Sequence, residues 1–320
     1  MYRFSEGARV VFFGDSITHG GAWLRRIYDY YLTQAKIRCE MYNFGVSGNT
    51  AERGYARIKN IYRFNPTDVV IMFGMNDVAY STFNRGALKK EELEKRRNYR
   101  DTNFTYYEKI CEELFCKGIR LIFCTPTVYD ELSDIEEKNH FGVVGALKEY
   151  ADRVLSLAEK YGNNVVDFTT LTFEHQKRAF KKGLSLIGAD RVHPTPVGHE
   201  LMSRYFLHCQ GFPVEYDLPT EELIEKSKAP YSPWEETRHE FELKAKRCDY
   251  TMYDYFWTVK DTDELIKKAQ HALDTHEASS WAKGEALDYV EGCFRDYLKY
   301  HDQIDSAIED YIAFTKTAKV

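Results

Sequence analysis

The chain has 320 residues, 43% hydrophobic and 29% charged, a composition typical of a globular protein with one large or two modest domains. Its formal net charge of −6 argues against binding to nucleic acid, which requires clustered lysine and arginine. No run reaches the roughly 18 apolar residues that a membrane helix needs, so we expect no membrane partner.

The cysteines and the N-terminal residues bear on the cellular compartment. The seven cysteines are odd in number and include no CxxC pair, which favours reduced, buried thiols. Residues 1–13 lead almost directly into a predicted strand and leave no room for a signal peptide. We therefore expect a cytoplasmic protein.

Short apolar runs alternate with amphipathic stretches along the first two thirds of the chain. Runs that are apolar on both faces are typical of parallel strands covered by helices on each side. The predicted strands are Arg9–Phe13, Cys39–Phe44, Val69–Phe73, Ile119–Cys124 and Val165–Phe168. The predicted helices are Trp23–Ala35, Ala51–Tyr62, Tyr106–Lys117 and Val143–Tyr161. This order predicts a doubly wound α/β sheet, which binds ligands beyond the carboxyl ends of its strands.

The segment Val78–Arg100 interrupts the alternation. It contains KKEELEKRRNYR, a mixed-charge run whose simplest interpretation is a solvated helix on an insertion. Because the segment follows the third strand on the ligand side of the sheet, it could also cover a site there.

The composition changes after Cys209. Four of the eight prolines fall within 21 residues and mark a predicted boundary between an α/β domain, residues 1–211, and a helical region, residues 212–320, of unknown role. In that region Asp261 and Glu264 form a predicted capping box. From Leu287 onward, apolar residues at alternating three- and four-residue spacing form one helix seam. We expect this seam to pack against another helix, the α/β domain or a second subunit. In the last case the protein would be a homo-oligomer.

The first strand ends abruptly at Gly14-Asp15-Ser16. A small, polar turn at the ligand edge of a sheet can present a serine for chemistry. Ser16 could equally be a helix N-cap, a very common use of serine. If Asp15 is the cap instead, Ser16 is left pointing outwards.

Three further stretches follow strands or close the α/β region: Tyr42–Thr50, Met72–Val78 and Gly188–Glu200. At the predicted sheet edge they would bring a glycine amide, an asparagine amide and an Asp-x-x-His pair to the serine. These are the parts of an acyl-transfer site, because a serine hydroxyl needs an adjacent base and the developing oxyanion needs fixed donors.

The residue types suggest a role for each member. His193 can take the proton of Ser16, and Asp190 can hold the imidazole and stabilise the imidazolium. The Ser16 amide lies at a predicted helix start, where free N–H groups favour negative charge. The Gly48 N–H and the Asn76 side-chain amide can complete the oxyanion hole.

Four blocks in order resemble the SGNH (GDSL-type) esterase family: Gly14-Asp15-Ser16, Gly48 in GVSGNT, Gly74-Met75-Asn76-Asp77 and Asp190-Arg191-Val192-His193. The resemblance covers roughly residues 8–210. It implies a three-layer α/β/α sandwich with a flavodoxin-like parallel sheet, no metal and no organic cofactor. It implies a Ser16, His193 and Asp190 triad and an oxyanion hole of Ser16, Gly48 and Asn76. The family offers no match for the helical region, whose role stays open.

Other interpretations of single residues remain open. Asn76 could cap the next helix, a role that we expect of Asp77, and Gly48 could serve only the turn geometry of its loop. His19 and His199 are expected to pack rather than to act in the site. There is no metal-ligand spacing among His140, His175 and the four cysteines before residue 125, so we expect no metal site.

The predicted activity is hydrolysis of carboxylic esters through an acyl-enzyme. Because the site loops Asn76–Phe83 and Thr125–Asn139 are mostly polar, we expect short-chain, acetyl esters of small carbohydrates or oligosaccharides as substrates. Two alternatives stay open: a lysophospholipase or thioesterase with a longer acyl preference, and a catalytically inert binding or scaffold protein.

Overall fold

The computed structural model describes residues 3–83, 89–256 and 301–319, with the single residues 267, 270, 271, 274, 295, 298 and 299. The chain forms two compact units, Met1–Ser232 with Lys319–Val320, and Pro233–Ala318. Among the described residues, no helix combines the length and the hydropathy that crossing a membrane requires.

The described part of the first unit contains one five-stranded sheet. Its strands are β1 (Arg9–Gly14), β2 (Glu40–Gly45), β3 (Asp68–Met72), β4 (Arg120–Cys124) and β5 (Val165–Val166). All neighbours are parallel, in the order β2-β1-β3-β4-β5. At the end of β1, Gly14 lies opposite Gly45 of β2 and Met72 of β3. The strand order reverses between β1 and β3, and such sheets bind ligands beyond the carboxyl ends at that point.

Helices connect the strands and follow the sheet. They are α1 (Ser16–Gly20), α2 (Ala22–Tyr30), α3 (Ala51–Ala56), α4 (Lys90–Cys116), α5 (Val143–Ala158), α6 (Phe168–Phe180), α7 (Pro196–Cys209) and α8 (Thr220–Ser227). A π-helical turn, Tyr31–Ala35, extends α2, and 3₁₀ turns lie at Ile58–Phe64, Tyr80–Thr82 and Glu159–Tyr161.

The two faces of the sheet carry separate aromatic layers, because successive strand residues point to opposite faces. Phe12 meets Trp23 of α2, with ring centroids 5.3 Å apart. On the other face, Phe13 meets Phe73 at 5.1 Å, and Phe73 contacts Tyr107 of α4. Helices therefore cover both faces, and the predicted three-layer α/β/α fold with a flavodoxin-like strand order is confirmed.

The charged segment before residue 100 belongs to a longer helix than the sequence predicts. It is continuous with the predicted helix Tyr106–Lys117, and the two form the 27-residue α4. Its buried residues begin at Asn103, and all its residues before that position are exposed or half-buried. The change from charged to apolar residues along α4 therefore marks where this helix begins to pack on the sheet. It does not mark the end of one element and the start of another.

The fifth strand is shorter than predicted. It ends at Val166 because Asp167 caps the following helix, α6. The Asp167 Oδ1 accepts hydrogen bonds from the Thr170 amide at 3.2 Å and from the Thr125 hydroxyl at 2.8 Å. Phe168, predicted to close the strand, is instead the first residue of α6.

The proline-rich segment 212–232 belongs to the first compact unit, so the predicted boundary after residue 211 and the division at Pro233 differ by this segment. The Phe212 ring lies 5.1 Å from that of Tyr31. The Arg26 Nη2 donates to the Ser227 carbonyl at 2.9 Å. The segment therefore packs against α2 and its π-helical extension.

The second unit is described through α9 (Pro233–Phe256) and α10 (Ile304–Thr315). Arg238 of α9 is fully buried and binds Glu235 at 2.6 Å, Glu242 at 2.8 Å and the Tyr311 hydroxyl of α10 at 2.8 Å. This buried ionic network joins the two helices. The predicted capping box at Asp261 and the beginning of the predicted seam lie outside the described residues.

Candidate active site

Ser16 follows the end of β1 and is the first residue of α1. Asp15 is the N-cap of this helix, and its Oδ1 accepts from the Ile17 amide at 3.0 Å. Ser16 is the first helical residue, and its side chain is therefore not used as the cap. The open choice between these two residues is settled in favour of Asp15, and the Ser16 hydroxyl is left to meet other partners.

The structure brings Ser16, His193 and Asp190 into one hydrogen-bonded chain. The His193 Nε2 lies 2.7 Å from the Ser16 Oγ, across 177 residues of sequence. The His193 Nδ1 lies 2.5 Å from the Asp190 Oδ2. With the proton on Nδ1, the imidazole can accept the serine proton at Nε2, which is the arrangement required for nucleophilic attack by a serine.

A tight turn holds Asp190 in place. Its Oδ1 accepts from the backbone amides of Val192 and His193, both at 3.0 Å, which leaves Oδ2 for the imidazole. Although partial burial acts in the opposite direction, the hydrogen bonds from His193 and from these amides lower the pKa of Asp190 to about 2. Asp190 is therefore ionised at neutral pH. Its hydrogen bond raises the pKa of His193 above the ordinary value, against the effect of burial.

Arg191, between Asp190 and His193, is a positioning residue that no sequence pattern reveals. Its backbone has φ of 66°, in the left-handed region, and its side chain is buried. The guanidinium donates to four backbone carbonyls of the loop after β4: those of Asp130, Ser133, Ile135 and Glu137, at 2.8 to 3.2 Å. The Asp190–His193 turn and this loop are therefore held together.

Gly48 and Asn76 line a cleft of about 690 Å³ in the first unit. The Asn76 Nδ2 donates to the Asn49 carbonyl at 2.9 Å, which holds the side chain beside the Gly48 loop. Gly48 has φ of 73°, so the turn geometry does favour glycine there. Among the described residues, neither the Ser16 amide nor the Gly48 amide donates to a protein acceptor.

Arg57 is a second positioning residue without a sequence signal, since it follows the motif by several residues. Its buried guanidinium donates to the Gly14 carbonyl at 3.1 Å, the Phe44 carbonyl at 3.0 Å and the Asn49 Oδ1 at 2.8 Å. These acceptors belong to the end of β1, the end of β2 and the Gly48 loop. One side chain thus fixes the segments that carry Ser16 and Gly48 relative to each other.

Asp77 does not cap the next helix, and that prediction is wrong. Its Oδ1 instead accepts from the Ala51 amide at the start of α3, at 2.9 Å, and from the Tyr150 hydroxyl at 3.3 Å. Burial, with a smaller contribution from the charge of Asp15, raises the pKa of Asp77 to about 7. The residue links the Asn76 turn to α3 because that buried amide lies next to it in space.

Two histidines outside this hydrogen-bonded chain, His19 and His175, have structural partners. The His19 Nδ1 lies 3.2 Å from the Gly45 carbonyl and joins α1 to the end of β2, in agreement with the expected packing role. The His175 Nε2 lies 3.4 Å from an Asp217 carboxylate oxygen. Within the described ranges, no group of three or more His, Cys, Asp or Glu side chains could hold a metal ion.

Comparison with known proteins finds a relative by sequence and solved structures with a similar fold. An acetylxylan esterase of Geobacillus stearothermophilus is 28% identical over 229 residues, covering 66% of this chain and 97% of the relative. The crystal structure of a variant of such an esterase from that organism has a TM-score of 0.54 at 22% identity, covering 68% of this chain and 99% of its own. A gut microbial diltiazem-metabolizing enzyme has a TM-score of 0.74 at 20% identity and covers all of this chain, with 97% of its own.

The match to a protein family covers most of the sheet and the residues Ser16, Asp190 and His193. Residues 12–201 match the GDSL-like Lipase/Acylhydrolase family, which confirms the resemblance seen in the motifs. This is more than half of the chain, and it includes Ser16 and His193. The chain belongs to the GDSL-like Lipase/Acylhydrolase family and is a carboxylic ester hydrolase.

Proposed function

We propose that the protein is a serine esterase that removes short acyl groups, acetyl above all, from carbohydrates through an acyl-enzyme. The observation that carries the proposal is the chain of hydrogen bonds from Ser16 through His193 to Asp190, with distances of 2.7 and 2.5 Å. A serine hydroxyl becomes an effective nucleophile only when an adjacent, oriented base takes its proton.

The reaction proceeds in two halves. The Ser16 Oγ attacks the ester carbonyl carbon while the His193 Nε2 takes its proton. The bond to the sugar oxygen then breaks, and the imidazolium returns the proton to that oxygen. Water attacks the acyl-enzyme with His193 again as base, and the carboxylic acid leaves. Asp190 stabilises the imidazolium formed in each half.

The oxyanion is stabilised by the amides of Ser16 and Gly48 and by the Asn76 side chain. The two backbone amides have no protein acceptor among the described residues, so they are available to an oxyanion. The Asn76 Nδ2 uses one N–H on the Asn49 carbonyl and retains the other. Each such donor contributes about 2.7–4 kcal/mol to transition-state stabilisation in other serine enzymes.

The choice of an acetylated carbohydrate is supported by the cleft and by the relatives. The side chains of Tyr80, Ser81 and Thr82 line the cleft beside Gly48 and Asn76, and all three carry hydroxyl groups. A long acyl chain would instead require a groove lined mainly by apolar side chains. The acetylxylan esterase relative favours the acetyl group and a sugar alcohol.

The test is a series of 4-nitrophenyl esters of two, four, eight and sixteen carbons, followed by acetylated xylooligosaccharides. The wild type should be fastest on the acetyl ester, and Ser16→Ala should lose roughly 10⁶-fold in kcat. Ser156→Ala is the matched control, because the Ser156 hydroxyl is exposed on α5 and donates only to the Asp152 carbonyl.

The outcomes distinguish the alternatives. A maximum at eight carbons or more would overturn the acetyl-carbohydrate assignment in favour of a lipid or thioester substrate. Folded protein that hydrolyses none of the esters would support the inert binding protein. Equal rates for Ser16→Ala and Ser156→Ala would mean that the nucleophile lies elsewhere.

A further inference from the structure

The cleft that holds Gly48 and Asn76 extends beyond the groups needed for ester hydrolysis. Its other walls are residues 79–82 and the first turns of α4. A substrate whose acetyl carbonyl meets the oxyanion donors would therefore place its neighbouring sugar against α4. The side chains of these turns are available to recognise a group on that sugar.

The wall of the cleft is positively charged although the whole chain carries −6. Among the described residues, it is lined by Arg53, Lys95 and Arg96 together with one carboxylate, that of Glu92. The Glu92 carboxylate accepts from the Lys89 amide at 2.9 Å and so is engaged at the N-terminus of α4. A concave surface with an excess of cations concentrates anionic ligands.

Arg96 is held in a fixed orientation. Its Nη2 donates to the Thr82 carbonyl at 2.8 Å and its Nε to the Thr82 hydroxyl at 3.2 Å. Its guanidinium lies 3.6 Å from the centroid of the Phe83 ring. The Nη1 group has no acceptor among the described residues, so it keeps two N–H groups for a ligand. A guanidinium oriented in advance loses little entropy on pairing with a carboxylate.

Two tyrosines complete the surface. Tyr80 and Tyr99 line the same cleft, and the Tyr99 side chain is exposed. An aromatic face with a polar edge suits a sugar ring, because the ring presents both C–H and hydroxyl groups. The cleft thus combines an aromatic surface with cations near the proposed oxyanion donors.

We propose that Arg96 and Lys95 bind a carboxylate on the acetylated sugar, so that the preferred substrates are acetylated oligosaccharides containing a uronic acid. This assignment rests on the acetylesterase function proposed above. Arg96 supplies fixed N–H donors, and Lys95 supplies a mobile charge from the preceding position of α4.

The test compares two substrates that differ by one charge. One is an acetylated xylooligosaccharide that carries glucuronic acid, and the other is its methyl ester, which has no carboxylate charge. In the wild type at low ionic strength, kcat/KM for the acid should exceed that for the methyl ester by about tenfold. The ratio should fall as salt is added, because salt screens charge pairs.

The variants assign the preference to the cleft. Arg96→Gln and Lys95→Gln should each bring the ratio of kcat/KM values towards one. Arg97→Gln is the matched control, because Arg97 is the next residue of α4, is exposed and does not line the cleft. It removes the same charge and should keep the wild-type ratio.

The outcomes separate this inference from the proposed function. Equal kcat/KM for the acid and the methyl ester in the wild type would overturn it while leaving the acetylesterase intact, since both substrates release acetate. A preference retained in both Arg96→Gln and Lys95→Gln, or lost equally in Arg97→Gln, would also overturn it. No release of acetate from either oligosaccharide or from 4-nitrophenyl acetate would overturn the proposed function itself.

Discussion

Charge on single side chains controls the chemistry available at the sheet edge. Asp190 is ionised at neutral pH, since the hydrogen bonds from His193 and two backbone amides outweigh its partial burial. Its carboxylate in turn holds the pKa of His193 above the ordinary value. In the proposed mechanism only neutral imidazole takes the serine proton, so we expect the activity to depend on pH through His193.

Replacing Asp190 by Asn should shift the pH profile in a defined direction. Activity should rise with pH through the titration of His193, and removing the carboxylate lowers that pKa. The acidic limb of kcat/KM should therefore move to lower pH, while the plateau falls by up to about 10⁴-fold, as for the equivalent change in serine proteases. Asp152→Asn, an exposed change on α5, should leave the profile unaltered. An unchanged midpoint in Asp190→Asn would exclude Asp190 as the group that sets it.

Arg57 acts through the segments that it joins. Arg57→Lys keeps the charge but cannot reach all three acceptors, so the Gly48 loop should lose its fixed position relative to Ser16. We expect kcat to fall by about 10- to 100-fold with a much smaller change in KM, because transition-state stabilisation depends on the position of the donors. Arg63→Lys, an exposed change on the 3₁₀ turn that follows Arg57, is the control in steady-state kinetics. A rise in KM without loss of kcat would contradict this role.

Two elements approach each other closely where α1 crosses the end of β2. A Cβ on Gly45 would lie 2.6 Å from the Thr18 carbonyl carbon and 2.8 Å from the His19 Cα. The close approach lets α1 begin directly after β1, with Ser16 at its first position. Glycine at the end of β2 is therefore a requirement of helix-to-strand packing.

Gly45→Ala should destabilise the protein, because backbone atoms would have to move to make room for the methyl group. We expect the free energy of unfolding to fall by about 1–3 kcal/mol, the usual effect of overpacking. Gly20→Ala is the matched control, since a Cβ there meets nothing within 4 Å. Urea unfolding of both variants checks the difference, and equal midpoints would show that α1 can shift without cost.

At the scale of the whole molecule, the two compact units are stabilised in different ways. The first unit buries aromatic layers on both faces of its sheet. The described part of the second unit joins α9 and α10 through buried Arg238, where Glu235, Glu242 and Tyr311 supply its partners. Ionic groups placed this deeply require complete pairing, because an unpaired buried charge is costly.

Arg238→Met should destabilise the second unit strongly, since it leaves the buried carboxylates of Glu235 and Glu242 without their shared partner. We expect the free energy of unfolding to fall by about 3–5 kcal/mol. Lys244→Met provides the comparison within the same helix pair, because Lys244 makes an exposed contact with Asp310 at 3.5 Å, worth about 1 kcal/mol or less. Hydrogen exchange of amides in α9 and α10 measures the destabilisation caused by each variant. Similar losses of protection in Arg238→Met and Lys244→Met would contradict the expected difference between them.

Local patterns were sufficient to predict the family, the parallel α/β order and the residues that meet at the sheet edge. Apolar runs mark buried strands, and parallel strands end at a common edge, so the residues that follow β1, β2 and β3 must gather there. The Asp190–His193 spacing is likewise local, because one turn joins the two residues. These features depend on neighbours in sequence, and the sequence alone determined them.

Only the tertiary structure decided which distant groups hold that edge in place. Arg57 reaches the Gly14 carbonyl across 43 residues, and Arg191 reaches the Asp130 carbonyl across 61. Asp77 accepts from the Ala51 amide across 26 residues, although its sequence position suggested a helix cap. A buried polar side chain takes whichever backbone group the packed chain presents to it, and no local pattern encodes that choice.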